Sequence, residues 1–225
     1  MVSHELRTPL TSIDGYISLF LAGATGPVSV DQKKYLKIIR ENDERLANLI
    51  DRLLDFSKIE TGQFRIKREL LALPELVDRA VEAMKPQLDK TGAVLKIKQE
   101  AKNVNIMGDQ EKLSEVFFNL IENSIKFRRE GEAPVIEITS QDAGDFIQMS
   151  VADQGIGLEP EQLEKIFNKF YQVEETMTRR FSGVGLGLAI VKEIIGNHQG
   201  RIWAESAGKN QGARFVFVLP VAEKA

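Results

Sequence analysis

Five groups of residues along the chain have types and spacings suited to chemistry. The first is one histidine on a helical face. With His4 at zero on a wheel advancing ~100° per residue, Thr8, Thr11, Gly15 and Ser18 share its side. Leu6, Leu10, Ile13, Ile17 and Phe20 recur at steps of three and four on the opposite side. His4 is therefore expected on a solvated face with small neighbours. A carboxylate at Glu5 can accept from Nδ1–H, which leaves Nε2 with the free lone pair a nucleophile needs. Taken alone, this pattern also fits an ordinary surface histidine, and Pro9 predicts a kink one turn further on.

The other four groups lie in the second half. Asn119, Asn123 and Lys126 stand at i, i+4 and i+7 on one helix face, with Leu113, Phe117, Leu120 and Ile121 turned elsewhere. Amide oxygens are hard ligands that suit Mg²⁺, and an ammonium suits phosphate. Asp153-Gln154-Gly155-Ile156-Gly157 follows a predicted strand. A carboxylate there can accept from the exocyclic amine of adenine, whereas guanine presents a carbonyl, so the expectation is ATP over GTP. Gly183-Val184-Gly185-Leu186-Gly187-Leu188 precedes a helix whose free N–H groups would meet phosphate oxygens. Its late position argues against a dinucleotide fold. Phe167-Asn168-Lys169-Phe170-Tyr171 comes just before the polar stretch from Glu174 to Ser182, where aromatics would anchor the root of a lid. Each group also has a plainer reading: a polar helix face, an Asp-x-Gly turn, a glycine-rich loop, a short helix with a loop.

The elements that must position these groups divide the chain in two. Up to Gly62 it reads as two helices broken at Gly23 to Pro27, the second starting near Asp31 as its N-cap. Tyr35, Ile39, Leu46, Leu49, Leu53 and Phe56 form a heptad seam with Asn42 in its polar slot. One hairpin cannot bury that seam, so a dimeric four-helix bundle is expected. Beyond Gly62, strands at Val94 to Lys98, Val135 to Thr139, Phe146 to Val151, Arg201 to Glu205 and Arg214 to Leu219 alternate with helices at Pro74–Lys90, Gln110–Phe127 and Leu186–Asn197. The pattern predicts an α+β class, with helices on one face of a mixed sheet.

Composition bounds the rest. The chain has 225 residues, 43% hydrophobic and 28% charged, with formal net charge -3 and no basic block, so nothing argues for nucleic acid. The absence of cysteine excludes disulfides and thiolate chemistry. No run is apolar enough to span a membrane. The abrupt helical start reads as a fragment of a longer protein.

The segment Ser3-His4-Glu5-Leu6-Arg7-Thr8-Pro9-Leu10 resembles the phosphoacceptor H-box of sensor histidine kinases. The Asn helix, Asp-x-Gly-x-Gly, Phe-x-x-Phe and Gly-x-Gly-x-Gly resemble, in that order, their N, G1, F and G2 boxes. The segment from Asp55 to Gly62 is similar to the family's inter-domain hinge. The resemblance implies a dimerisation and phosphotransfer domain at 1–62, N-terminally truncated, and at 63–225 an ATP-binding sandwich like that of gyrase B, Hsp90 and MutL. It implies a protein histidine kinase with ATP and Mg²⁺ as cofactors. His4 would be phosphorylated, Glu5 would assist as base and Thr8 would support dephosphorylation of the partner. Nucleotide contacts would fall to Asn119, Asn123 (also on the metal), Lys126, Phe127, Asp153, Gly155, Gly157, Phe170, Arg179, Arg180, Gly183, Gly185, Leu186, Gly187 and Leu188.

In the related ATPases a glutamate stands at the position of Asn119, and an amide cannot activate water, so hydrolysis is disfavoured. Val184, Gln172 and Ala213 depart from the usual threonine, arginine and threonine. His198 reads as scaffold. The implied partners are a second copy and the receiver domain of a response regulator, with possible phosphatase action on the latter. The implied location is cytoplasmic, with a membrane-anchored or a soluble parent both open. The rival expectation is a nucleotide-binding dimeric scaffold without kinase activity in this fragment.

Overall fold

The computed structural model describes residues 2–173 and 185–222, with side chains from Thr8 onward. The chain forms two compact units, Met1–Phe64 and Arg65–Ala225.

The first unit is a helical hairpin. Helix α1 (Val2–Leu21) runs on through Pro9, which removes one backbone donor but leaves the assignment continuous. Helix α2 (Val30–Glu60) is capped two residues earlier than the sequence suggests. Its N-cap is Ser29, not Asp31. The Ser29 hydroxyl accepts from Gln32 N at 3.2 Å, and Gln32 Oε1 accepts from Ser29 N at 2.9 Å. This reciprocal box satisfies two end groups, and Asp31 falls in the first turn, where its charge complements the helix dipole. The hairpin packs Leu10 and Ile17 inward. Ile13, Phe20, Tyr35, Ile39, Leu46 and Leu53 remain exposed, at 42–64% of their surface. An apolar stripe of that kind is a surface for association.

The second unit opens with strand β1 (Glu69–Ala72), helix α3 (Leu73–Thr91), strands β2 (Val94–Gln99) and β3 (Asn105–Gly108), and helix α4 (Gln110–Lys126). Strands β4 (Val135–Ala143) and β5 (Phe146–Asp153) form a hairpin. Two short 3₁₀ turns, Pro160–Gln162 and Lys165–Phe167, precede helix α5 (Gly187–Asn197) and strands β6 (Arg201–Glu205) and β7 (Arg214–Pro220). The main sheet has the order β2-β4-β5-β7-β6, parallel only between β2 and β4. Strands β1 and β3 pair separately, Leu70 opposite Met107 and Leu71 opposite Ile106. At four residues each, they are too short to show a period of two, and the sequence reading missed both.

Helices α3, α4 and α5 pack side by side on one face of the sheet. Alternation along the strands sends Ile136, Ile138, Ile147, Met149, Val151, Phe215, Phe217 and Leu219 to that face, all buried. At its centre the rings of Phe117 (α4) and Phe217 (β7) meet edge to face at 5.7 Å. Val116, Leu120 and Ile121 are fully enclosed beside them, each worth roughly 1.5–3 kcal/mol of burial. With its apolar stripe spent on the sheet, α4 turns its remaining face away from the core. Among the described residues no helix is long and apolar enough to cross a membrane.

Candidate functional site

Helix α4 carries the first part of the site. Asp109 caps it, Oδ1 accepting from Lys112 N at 3.1 Å. One turn before the metal-candidate amide, Asn119 is buried, and its Nδ2 donates to Glu115 O at 2.9 Å. Asn123 is half-buried, and Glu122 is exposed on a different part of the helix. The helix ends at Phe127, whose N–H reaches Asn123 O at 2.8 Å. Lys126 Nζ lies 4.9 Å from the Phe127 ring centre.

The loop after β5 is fastened to that helix end. Ile156 N donates to Phe127 O at 2.9 Å. A Cβ at Gly155 would land on the same carbonyl, so this close approach requires glycine. On its other side the loop is zipped to residues 206–213: Asn210 N to Ile156 O at 2.6 Å, Gly212 N to Gly155 O at 3.1 Å and Asp153 N to Ala213 O at 2.8 Å. Ser206 Oγ accepts from Leu158 N at 3.0 Å and donates to Gly212 O at 2.7 Å.

Asp153 sits at the centre of this arrangement. Its Oδ1 accepts from Gly155 N at 2.8 Å and Ala213 N at 3.2 Å. Ser124, near the end of α4, donates its hydroxyl to Leu120 O at 3.0 Å. Burial pushes the Asp153 carboxyl above the usual carboxylate range, and the backbone hydrogen bonds only partly offset it. Both backbone donors land on Oδ1. The Ala213 N–H carries no motif signature, and the sequence reading missed it. Ala213, noted there only as a replaced threonine, acts through its backbone.

Helix α5 starts next. Leu186 is its N-cap, with no side-chain cap hydrogen bond, and its first turn holds no acidic residue. Such a start presents the positive end of the helix dipole, which suits an anion. The Leu186 side chain is buried, so any contact with a ligand there comes from its backbone, while Gly187 and Leu188 are half-buried. Gly185 has φ 71° and its O accepts from Phe170 N at 3.0 Å. Phe170 itself holds φ 61°, a conformation few bulky residues adopt, and is 56% exposed. Gly157 also needs its positive φ, 69°.

The tie between the helices gives their relative direction. His198, at the end of α5, accepts from Asp109 N at 2.9 Å at the start of α4. The two helices pack on each other, so the start of α5 points toward the second half of α4. At ~1.5 Å per residue, the 11 residues of α5 reach back about 16 Å, to the level of Asn119–Asn123. The structure brings Phe127, Asp153, Gly155 and Gly157 together at the end of α4 that also carries Asn123 and Lys126, and the packing of α5 on α4 directs Gly187 toward that end. Thr8 is exposed on α1 in the other unit. The side chains of His4 and Glu5, and Arg179, Arg180, Gly183 and Val184, lie outside the described residues, as does the expected lid.

Among the described residues no cluster of three or more histidines and carboxylates could hold a metal. An amide at Asn123 with phosphate oxygens and water fits a magnesium ion that arrives with its nucleotide, since that ion keeps several waters.

Comparison with known proteins finds one family match within each unit. Residues 1–62 match the His Kinase A (phospho-acceptor) domain. Residues 108–223 match the family described as histidine kinase-, DNA gyrase B-, and HSP90-like ATPase. Sensor histidine kinase WalK of Bacillus subtilis (strain 168) is 30% identical over 223 residues, covering 99% of this chain and 36% of that protein. Sensor protein kinase WalK of Staphylococcus aureus is 33% identical over 219 residues, covering 97% of this chain and 52% of that protein. The chain thus spans about a third to a half of the length of these relatives. Among solved structures, full-length ShkA in complex with AMPPNP has TM-score 0.81 and 27% identity, covering all of this chain and 45% of that one. Histidine kinase ThkA in complex with response regulator protein TrrA has TM-score 0.67 and 26% identity, covering 98% of this chain and 60% of that one. The chain belongs to the sensor histidine kinases: a phosphoacceptor domain of the His Kinase A family, followed by an ATP-binding domain of the type shared with DNA gyrase B and HSP90.

Proposed function

We propose that this chain is the catalytic core of a two-component kinase that phosphorylates itself on His4 and passes the phosphoryl group to an aspartate of a response regulator. The observation that supports the reading is the Asp153 carboxylate, whose Oδ1 is held by the Gly155 and Ala213 N–H groups in a loop fastened to the end of α4, the helix that carries Asn123 and Lys126. Asp153 accepts from the adenine amine, and Phe127 packs on the base. Lys126 and the glycine backbone at Gly183, Gly185 and Gly187 hold phosphates. Asn119, Gly155, Gly157, Phe170, Leu186 and Leu188 shape the walls, with Arg179 and Arg180 adding positive charge. Asn123 holds magnesium, which when bound neutralises charge on the phosphate oxygens.

Residues 1–62 form the dimerisation and phosphotransfer domain, and 63–225 the ATP-binding domain. His4 Nε2 directs its lone pair at the γ-phosphorus. An N–P bond forms, the bond to the β-phosphate oxygen breaks, and ADP leaves. Glu5 takes or steadies the proton on Nδ1. The receiver aspartate then attacks phosphorus, breaking the N–P bond and freeing the imidazole. Thr8 supports the reverse clearance of phosphate from that partner. Positioning and charge stabilisation supply most of the catalysis in such transfers. Two copies join through the exposed stripe of the hairpin as a four-helix bundle, and small residues beside His4 leave room for the receiver. The solved complex of ThkA with TrrA supports this choice of partner, and that of ShkA with AMPPNP, an ATP analogue, supports the nucleotide. We infer a cytoplasmic location for the core, whether its parent is membrane-anchored or soluble.

The test is incubation with magnesium and γ-labelled ATP, followed by mapping of the modified residue. Label is expected on His4, acid-labile, and absent from His4→Ala, which still binds ATP. Label on any other residue would overturn the assignment.

A further inference from the structure

Behind the nucleotide site, three chain segments separated by 42 and 89 residues meet at Asp109. Asp109 is 8% exposed. Its Oδ1 caps α4 through Lys112 N, and its Oδ2 accepts from Lys67 N at 2.9 Å. Its own N–H donates to His198 Nε2 at 2.9 Å. His198 is 3% exposed, with Nδ1 bonded to Ile194 O at 2.7 Å. With Nδ1–H donating to a carbonyl, Nε2 is left as a pure acceptor, the form the Asp109 contact needs. Arg68 Nη2 reaches Asn197 O at 3.4 Å and fastens the same corner.

Gly108 shows how close this contact is. Its φ is not in the left-handed region, so its backbone does not demand glycine. A Cβ there would stand 2.9 Å from His198 Cδ2 and 2.7 Å from Leu113 Cδ1. Glycine is needed to let the imidazole reach the backbone of residue 109.

We propose that the hydrogen bond from Asp109 N to His198 Nε2 is a positioning latch that sets where the start of α5 stands along α4, and hence whether Asn123 and the α5 N–H groups engage one magnesium-chelated polyphosphate together. The inference rests on the nucleotide-binding reading above. The latch joins the far ends of the two helices that carry the proposed phosphate- and metal-binding groups. A slip of α5 along α4 moves the α5 terminus relative to Asn123 while leaving Asp153, fixed by the Gly155 and Ala213 N–H groups, in place. His198 is thus a positioning residue, acting through the helices it joins.

The test uses the full chain and ADP, with and without magnesium (EDTA replacing the metal), by titration calorimetry. His198→Asn keeps a donor for Ile194 O but is too short to reach Asp109 N. His198→Gln places an acceptor near the position of Nε2. The expected result is that the tightening of ADP binding by magnesium falls about tenfold or more in His198→Asn, the scale seen when outer supports of a metal site are removed. Affinity for ADP in EDTA stays within twofold, and His198→Gln recovers most of the magnesium effect. Equal behaviour of the two variants, or a parallel loss with and without magnesium, overturns the latch. Should His198→Asn fail to fold, Gly108→Ala displaces the imidazole from the opposite side and must show the same selective loss, or the latch is refuted. An unsubstituted chain that binds no ADP under either condition would instead refute the nucleotide reading, and the latch with it.

Discussion

Replacing Asp153 by asparagine changes one oxygen of the pocket to an NH₂ group and leaves its scaffold intact. The amide Oδ1 still accepts from the Gly155 and Ala213 N–H groups, which sit at 2.8 and 3.2 Å from the native oxygen. At the Oδ2 position an NH₂ donor would then face the exocyclic amine of adenine. A hydrogen bond to a charged acceptor is lost, about 1.5–3 kcal/mol, and two donors are left facing each other, about 1–3 kcal/mol more. A combined loss of about 3–5 kcal/mol weakens ATP roughly 10²–10³-fold or more. Inosine triphosphate, with a carbonyl in place of the amine, should gain on ATP in the same variant, because the new amide donor finds an acceptor.

The fold should not suffer. The folded-state pKa of Asp153 is raised, so between the unfolded value near 3.8 and the folded one the native state holds more protons. The contribution of this group to stability is full below the unfolded pKa and is lost as pH rises through the folded pKa. A neutral amide removes that loss, so the melting temperature at pH 7 should hold or rise. Calorimetric titration with ATP and inosine triphosphate, beside thermal melts, checks each part. ATP affinity within threefold of the unsubstituted chain would refute the adenine contact. A melting temperature falling together with the affinity for both nucleotides would refute the claim that the change is local.

Two further outcomes are expected. Leu46→Glu combined with Leu53→Glu places charges in the exposed stripe of α2 and should convert the dimer to monomers by sedimentation equilibrium, with ATP binding unchanged; a substituted chain that stays dimeric refutes the seam. His198 is held below its ordinary pKa by burial, with Asp109 raising and Arg68 lowering it among the charges that face it. Its stabilising effect is full above about pH 6.5 and is lost as pH falls through the folded value, by at most ~1.4 kcal/mol per pH unit. Denaturant unfolding between pH 7.5 and 5 should show that slope, and His198→Gln should remove it; an unchanged slope in the variant refutes the assignment.

Much of the molecule is legible in the chain because the signals are local. The 3.6-residue stripe of Leu113, Phe117, Leu120 and Ile121 marks α4 and the face it buries. The strands at Val135, Phe146, Arg201 and Arg214 begin where their alternation begins. Where a local rule had two candidates, the choice needed three dimensions: Ser29 and Asp31 are both good caps, and only the reciprocal bond with Gln32 selects Ser29. The pair β1 and β3 has no local signal at all, since four residues acquire strand character only by finding each other across 36 positions of chain, Leu70 opposite Met107.

The order of the four boxes and the H-box, each a run of fewer than ten residues, was enough to assign the family, because a backbone that must approach a ligand closely restricts residue type on the spot. The architecture around those boxes follows no such restriction. That the Ala213 N–H serves Asp153, that Phe170 clasps Gly185, and that His198 reaches back 89 residues to Asp109 were decided only by the tertiary packing. A hydrogen bond between distant residues asks each for no more than a donor or an acceptor, which most side chains and nearly every peptide group possess, so it leaves no spacing in the chain to be read.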